Sequence, residues 1–270
     1  MRAGRLKTKR YPVRGGRKAV FFVLGVLLLI LAFFAVRANG GMPFLHFSSP
    51  VLSPEESVQE TKTLTLPGRT WYALQLGAFE TEEMARSFAD AYRARGAAGF
   101  IDRSDHFRVL AAAYDSRAAA QAVQSQLGAL HGVEAYVSEI TRPEVQLRLT
   151  GQRAQLTALC DAYDALNNAA EKAYALSRGL DGRSMERQEI LLSLTSEKET
   201  ALALKSRLAD LFGKDAPEAV AFIVEALNEL SAALENALSA SGDTALGAQV
   251  KYIQLFCIER MAAYARLLRP

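Results

Sequence analysis

TWYALQLGAF, residues 70–79, is the most informative segment for the fold of the middle of the chain. Every second side chain in it is large and apolar, at Tyr72, Leu74 and Leu76. A period of two is typical of a β-strand with one face in a core. Gln75 interrupts this pattern, and a buried strand rarely contains glutamine. We therefore expect Gln75 to lie on the opposite face of the sheet, together with Trp71.

The hydrophobic period changes repeatedly over the next 60 residues. Thr81 can cap a helix, since a threonine oxygen accepts a backbone hydrogen bond and two glutamates follow it. The later segments are a weak strand in GFID (99–102), a strand in HFRVLAAA (106–113), a helix capped by Asp115 or Ser116, and a strand in VEAYVSEI (133–140). The order β-α-β-β-α-β predicts a four-stranded antiparallel sheet, ferredoxin-like or RNP-like, with both helices on one face.

The face of this sheet that the two helices do not cover is expected to be open. The residues expected on it are Trp71, Gln75, His106, Arg108 and Tyr136. Aromatic rings stack on flat surfaces, and Gln, Arg and Tyr donate and accept hydrogen bonds, so such a face suits a sugar or a base. A plainer interpretation also stands: Gln75 is a solvated strand residue, and Arg108 pairs with Asp102 or Asp105.

Two segments, WYALQLGAF (71–79) and HFRVLAAAY (106–114), resemble the SPOR (sporulation-related repeat) domain. Members of that family carry aromatic-x-x-Gln-x-Gly-x-Phe on the first strand and aromatic-x-Arg-Val on the third. The resemblance extends over about residues 71–140, roughly a quarter of the chain. It implies a sheet face that binds bacterial peptidoglycan, preferably glycan strands stripped of stem peptides.

The resemblance also implies roles for single residues. Gln75 matches the family's first-strand glutamine, and Arg108 matches the third-strand arginine. His106 stands where many members have an aromatic residue, and Tyr136 lies on the strand that supplies a further contact. The glycan-binding set implied is therefore Gln75, Arg108, His106, Tyr136 and Trp71. The sequence departs from the family at Ala78, where many members have Ser or Thr, and at residues 112–113, which are Ala-Ala where Gly-Pro is usual.

Charge and hydropathy predict a membrane anchor at the N-terminus. Residues 1–18 hold eight of the 32 Lys/Arg and none of the 29 Asp/Glu. Residues 19–36 have no polar side chain, and as a helix they would span about 27 Å, close to the hydrocarbon thickness of a bilayer. The positive side stays in the cytoplasm, so we expect a single-pass protein of the cell membrane with most of the chain outside. A cleaved signal peptide is the alternative, although this apolar run is longer than the usual 7–15 residues.

A linker and a helical domain complete the predicted organisation. Residues 37–69 are rich in Pro, Gly, Ser and Thr and indicate a flexible linker before the domain at 70–140. Residues 141–270 show helical spacing throughout and predict four helices in an antiparallel bundle. Cys160 lies on the first of these helices and Cys257 on the last, which allows either a disulfide or two buried thiols.

The same features exclude several classes of function. The domain at 70–140 has six Lys/Arg against nine Asp/Glu, so nucleic-acid binding is not expected despite an RNA-binding-like element order. The histidines at 46, 106 and 131 are isolated, no Gly-rich phosphate loop is present, and we expect neither a metal nor a cofactor. Glycoside cleavage needs a positioned carboxylate pair, for which the sequence gives no sign.

The sequence therefore predicts an α+β protein with a transmembrane helix, a SPOR-like domain and an α-helical bundle. The expected function is non-enzymatic binding of denuded glycan strands at cell wall under remodelling, in division or sporulation. The alternative is an envelope adaptor whose SPOR domain is degenerate and whose bundle binds a protein partner or a second copy of the chain.

Overall fold

The computed structural model describes residues 59–103 and 106–269. Their elements are β1 (Gln59–Leu66), β2 (Arg69–Phe79), α1 (Glu82–Arg93), β3 (Phe100–Asp102), β4 (Phe107–Tyr114), α2 (Arg117–His131), β5 (Tyr136–Arg142), β6 (Val145–Gln152), α3 (Arg153–Asp181), α4 (Arg187–Phe212), α5 (Glu218–Leu238) and α6 (Asp243–Leu267). The predicted cytoplasmic tail, the transmembrane helix and most of the linker lie outside the described residues. Among the helices that are described, none is both long and apolar enough to span a bilayer.

The predicted four-stranded sheet is present. Its strand order is β3-β4-β2-β5 with every pair antiparallel, and α1 and α2 pack on one face. Both helices begin as expected, because Thr81 Oγ1 accepts from the backbone N–H of Met84 and Ser116 Oγ accepts from that of Ala119. Gly99, which precedes β3, has φ +57°, and a Cβ there would lie 2.8 Å from the Ala89 carbonyl oxygen. This close approach of the chain to α1 requires glycine.

A second, two-stranded sheet corrects the predicted domain limits. Strand β1 pairs with β6 along their full lengths, and this pairing continues the β2–β5 pair beyond a break at Pro67 and Pro143. Proline has no N–H for a ladder hydrogen bond, so it interrupts pairing at this break. The prediction that the linker runs to residue 69 is wrong, since its last part is strand. The prediction that the helical region starts at 141 is wrong too, since α3 begins at Arg153.

Four long helices form the predicted bundle, with a short 3-10 turn between α4 and α5. Each helix packs on the next along the chain, and α6 returns to pack on α3. Leu166, Leu227 and Leu234 are fully buried at their centre. Cys160 is half-buried and Cys257 is buried, and both are free thiols, so the disulfide alternative is not realised. Burial raises the pKa of the Cys257 thiol above its usual value, which keeps it protonated.

Helix α6 has a larger share of buried residues than the other helices of the bundle. Its buried residues follow one another from Ile253 to Ile258 without a polar face. A helix of this kind has to lie between two layers of structure. On one side it packs on α3 and α5, and on the other it packs on β3, β4 and β5. The four-stranded sheet is therefore the middle layer between α1–α2 and the bundle.

Candidate functional site

The bundle covers the sheet face that the sequence predicted to be open. Trp71, Ala73 and Leu110 are 4%, 0% and 1% exposed and belong to the same continuous hydrophobic core as the bundle. Side-chain alternation placed these residues on the face away from α1 and α2, as predicted. The expectation that this face is exposed is wrong, because α6 and α3 lie over it.

Trp71 illustrates how closely this contact is packed. Its ring meets Tyr174 of α3 edge-on, with centroids 5.6 Å apart, and the Arg69 guanidinium lies 4.1 Å over its centroid. Arg69 in turn forms an ion pair with Glu171 of α3. The cavity left beside Trp71 and Met261 has a volume of about 10 Å³, barely the space of one water molecule. This interface is packed as tightly as a protein interior.

Buried polar groups also join the sheet to the bundle. Gln254 of α6 is 0% exposed, and its Nε2 donates to the carbonyl oxygen of Ala113 on β4 over 3.0 Å. Arg142, 7% exposed, donates through Nε to the Pro67 carbonyl oxygen and through Nη1 to Asn167 Oδ1 of α3. Separating the layers would break these bonds and expose apolar surface together. We therefore describe the sheet and the bundle as one folding unit.

Gln75 lies at an irregular point of the sheet. The β2–β4 register shifts on both sides of it, so that Gln75 faces Leu110 on β4 while Tyr136 is its partner on β5. A bulge of this kind re-aims side chains locally. Gln75 is half-buried, whereas Tyr136 is 60% exposed. The structure thus brings Gln75 and Tyr136 side by side at the start of β5, away from the buried Trp71.

Arg108 and His106 lie near the opposite edge of the sheet, the edge formed by β3. Arg108 forms an ion pair with its cross-strand neighbour Asp102, which is only 6% exposed. This confirms the plainer interpretation of Arg108 as half of a pair. His106 is exposed directly before β4. The five predicted residues are therefore spread over three places rather than gathered in one site.

An open groove of about 690 Å³ lies where the β3 edge meets α5 and α6. The rings of Phe100 on β3 and Tyr252 on α6 line it, with centroids 5.4 Å apart. Asn236 and Gln249 add amide donors and acceptors from the bundle side. Apolar rings with a few convergent polar groups, in a groove of this size, are typical of small-ligand sites. No sequence signal pointed to it, because its two walls come from segments more than 100 residues apart.

Four arginines line this groove. Three of them are held by carboxylates, in the pairs Arg93–Asp90, Arg103–Glu82 and Arg260–Glu229. Arg266 is exposed in the last turn of α6, and within residues 59–103 and 106–269 no ion pair of it is found. The groove therefore contains three arginines held in ion pairs and one exposed guanidinium that can contact an anionic group.

Glu259 of α6 also lines the groove, and its environment is unusual for a carboxyl group. Burial, together with the nearby negative charge of Asp102, raises the pKa of Glu259 to about 7, although Arg266 and Arg108 act in the opposite direction. Near neutral pH this carboxyl group can therefore donate a hydrogen bond as well as accept one. No cluster of His, Cys, Asp and Glu suited to a metal ion is found in the part of the chain that the structure describes.

Comparison with known proteins identifies the middle of the chain. Residues 68–139 match the SPOR domain family, close to the limits that the sequence suggested. A SPOR domain is a peptidoglycan-binding domain and not a catalytic one. Searches among curated proteins and among solved structures found no match.

Proposed function

We propose that this protein is a membrane-anchored, non-enzymatic peptidoglycan-binding protein, which carries its helical bundle to cell wall under remodelling in division or sporulation. The observation that carries the proposal is the SPOR domain at residues 68–139. The anchor is proposed from the apolar segment at 19–36, and the eight positive charges before it support an orientation with the domain on the wall side of the membrane.

The test is a sacculus pull-down with residues 52–270, whose described part forms one compact unit. The protein is mixed with intact peptidoglycan and with peptidoglycan stripped of stem peptides by an amidase, and the pelleted fraction is measured. Binding that prefers the stripped material supports the proposal. A folded protein that stays in the supernatant with both materials contradicts it. Release of soluble sugar fragments during incubation would contradict the non-enzymatic part.

The anchor needs its own experiment. Full-length chain and residues 52–270 are expressed with an export signal on the shorter form, and membranes are separated from soluble protein. We expect only the full-length chain to sediment with membranes and to resist extraction by high salt. Equal release of both forms by salt would contradict an integral anchor.

A second candidate function is favoured by the burial of the sheet face. The bundle covers this face and buries its Trp71 and Leu110, so the face cannot bind glycan in the manner that the family resemblance implies. In this alternative the SPOR fold is a scaffold for the bundle, which recruits an envelope protein or a second copy of the chain. Absence of sacculus binding by folded protein is the outcome that favours this function over the first.

A further inference from the structure

We infer that the glycan strand binds in the groove between the β3 edge and helices α5 and α6, with a carboxylate of the strand at Arg266, and not on the sheet face. This inference rests on the proposed function and names a different place for the same ligand. Half of the site would then come from the helical bundle, which gives the two parts of the chain one joint task.

The sheet face is an unsuitable site because it is part of the common core. Trp71 is wedged against Tyr174, and Gln254 holds the β4 backbone through a buried hydrogen bond. To free this face, the chain would have to expose the apolar surface that holds the bundle and the sheet together, and each large buried side chain contributes about 2–3 kcal/mol. A ligand of ordinary affinity does not supply that free energy.

The groove offers what a sugar chain requires. Phe100 and Tyr252 present aromatic surface against which pyranose rings pack. Asn236, Gln249 and Glu259 present donors and acceptors for hydroxyl and acetamido groups. Its volume of about 690 Å³ is within the range of about 300–1,000 Å³ that is usual for pockets that bind small ligands.

The charges of the groove favour a ligand with few, separated carboxylates. Arg266 is exposed and can form charge-assisted hydrogen bonds with a carboxylate. Glycan strands without stem peptides carry one such group, the lactyl carboxylate, on every second sugar. A ligand dense in phosphates or acidic residues would bring several charges to a single exposed guanidinium, because the other three arginines of the groove are already paired with carboxylates. This distinguishes the glycan strand from an acidic peptide or a lipid headgroup.

The experiment measures the affinity of the full-length chain, in mild detergent, for amidase-stripped sacculi. Arg266→Gln removes the exposed charge, and Ala232→Trp fills the groove from an exposed position on α5. Arg148→Gln on β6 is the matched control for charge, and Ala221→Trp, exposed on α5 outside the groove, is the control for bulk. Gln75→Ala tests the start of β5 as the other place for the glycan. Far-UV circular dichroism and thermal unfolding verify that all five variants fold.

We expect Arg266→Gln to raise the apparent Kd by about tenfold or more, the usual effect of losing a hydrogen bond to a charged group. We expect Ala232→Trp to abolish saturable binding, while both controls bind like the wild type. If the two groove variants bind as tightly as the wild type does, the groove is refuted and the proposed function stands. If Gln75→Ala alone weakens binding, the glycan lies at the start of β5 instead. If the wild type does not bind, both proposals fail.

Discussion

Replacing Trp71 with alanine tests whether the bundle is a permanent cover of the sheet. A tryptophan side chain buries about 150–250 Å², which at about 25 cal/mol per Å² corresponds to about 4–6 kcal/mol. Core substitutions from large aromatic residues to alanine cost about 3–5 kcal/mol in practice. Because Trp71 is 4% exposed and contacts both Tyr174 and Arg69, we expect Trp71→Ala to lower the free energy of unfolding by about 3–5 kcal/mol.

The assay is urea unfolding of residues 52–270, followed by far-UV circular dichroism so that the signal does not depend on tryptophan. Trp71→Phe is the control, since it keeps a ring in the same position and should lose much less stability. Trp71 is also the only tryptophan of the chain, so its fluorescence reports on this one contact. We expect native emission that is blue-shifted and shielded from acrylamide. A loss under about 1 kcal/mol, with emission like that of unfolded protein, would refute the cover.

Three further predictions concern other parts of the structure. Burial favours the neutral form of Glu259, whose pKa is about 7 against an ordinary 4.5, so its contribution to stability is present below about pH 4.5 and is lost as pH rises through 7. Between pH 4.5 and 8, the free energy of unfolding of Glu259→Gln should therefore rise by about 2 kcal/mol relative to that of the wild type, after allowance for partial exposure. Parallel plots of unfolding free energy against pH for the two proteins would contradict this. Gly99→Ala should destabilise by about 1–3 kcal/mol, since φ is positive and a carbonyl oxygen blocks the Cβ, whereas Gly128→Ala, exposed in α2 with open space, should stabilise by about 0.5–1 kcal/mol in the same urea titration. Native protein should react with a maleimide at Cys160 but not at the buried Cys257, and both cysteines should react after denaturation without reductant. Cysteines that stay unlabelled in the denatured protein would reveal a disulfide.

The strand at residues 69–79 was predictable because its information is local. The alternation of Tyr72, Leu74 and Leu76 determines which face meets α1 and α2, and Thr81 and Ser116 mark the helix starts. The cover over Trp71 was not predicted, since it depends on Tyr174, more than 100 residues later. Local patterns indicated it nevertheless. Residues 109–113, VLAAA, are apolar on both faces, as in a strand covered on two sides.

Strands β1 and β6 were missed for a different reason. The segment QETKTLTL at 59–66 alternates, but its threonines and the proline after it also suit a linker. Its partner VQLRLTGQ at 145–152 alternates in the same way, and only the pairing of the two makes either a stable strand. The groove was invisible in the sequence for the same reason, since no local pattern reports that Phe100 and Tyr252 meet.

The pairing of β1 with β6 determines how the molecule carries mechanical load. Gln59 and Gln152 are partners at one end of the ribbon, and Leu66 and Val145 at the other. A pull on the chain before Gln59, resisted by the bundle that follows Gln152, would separate the two strands one hydrogen bond at a time, starting from the Gln59–Gln152 end. The same pull, resisted by the four-stranded sheet, would run along the covalent backbone of β1 and leave the ribbon closed. Whether the β1–β6 pair opens under force therefore depends on whether the bundle or the four-stranded sheet resists the pull.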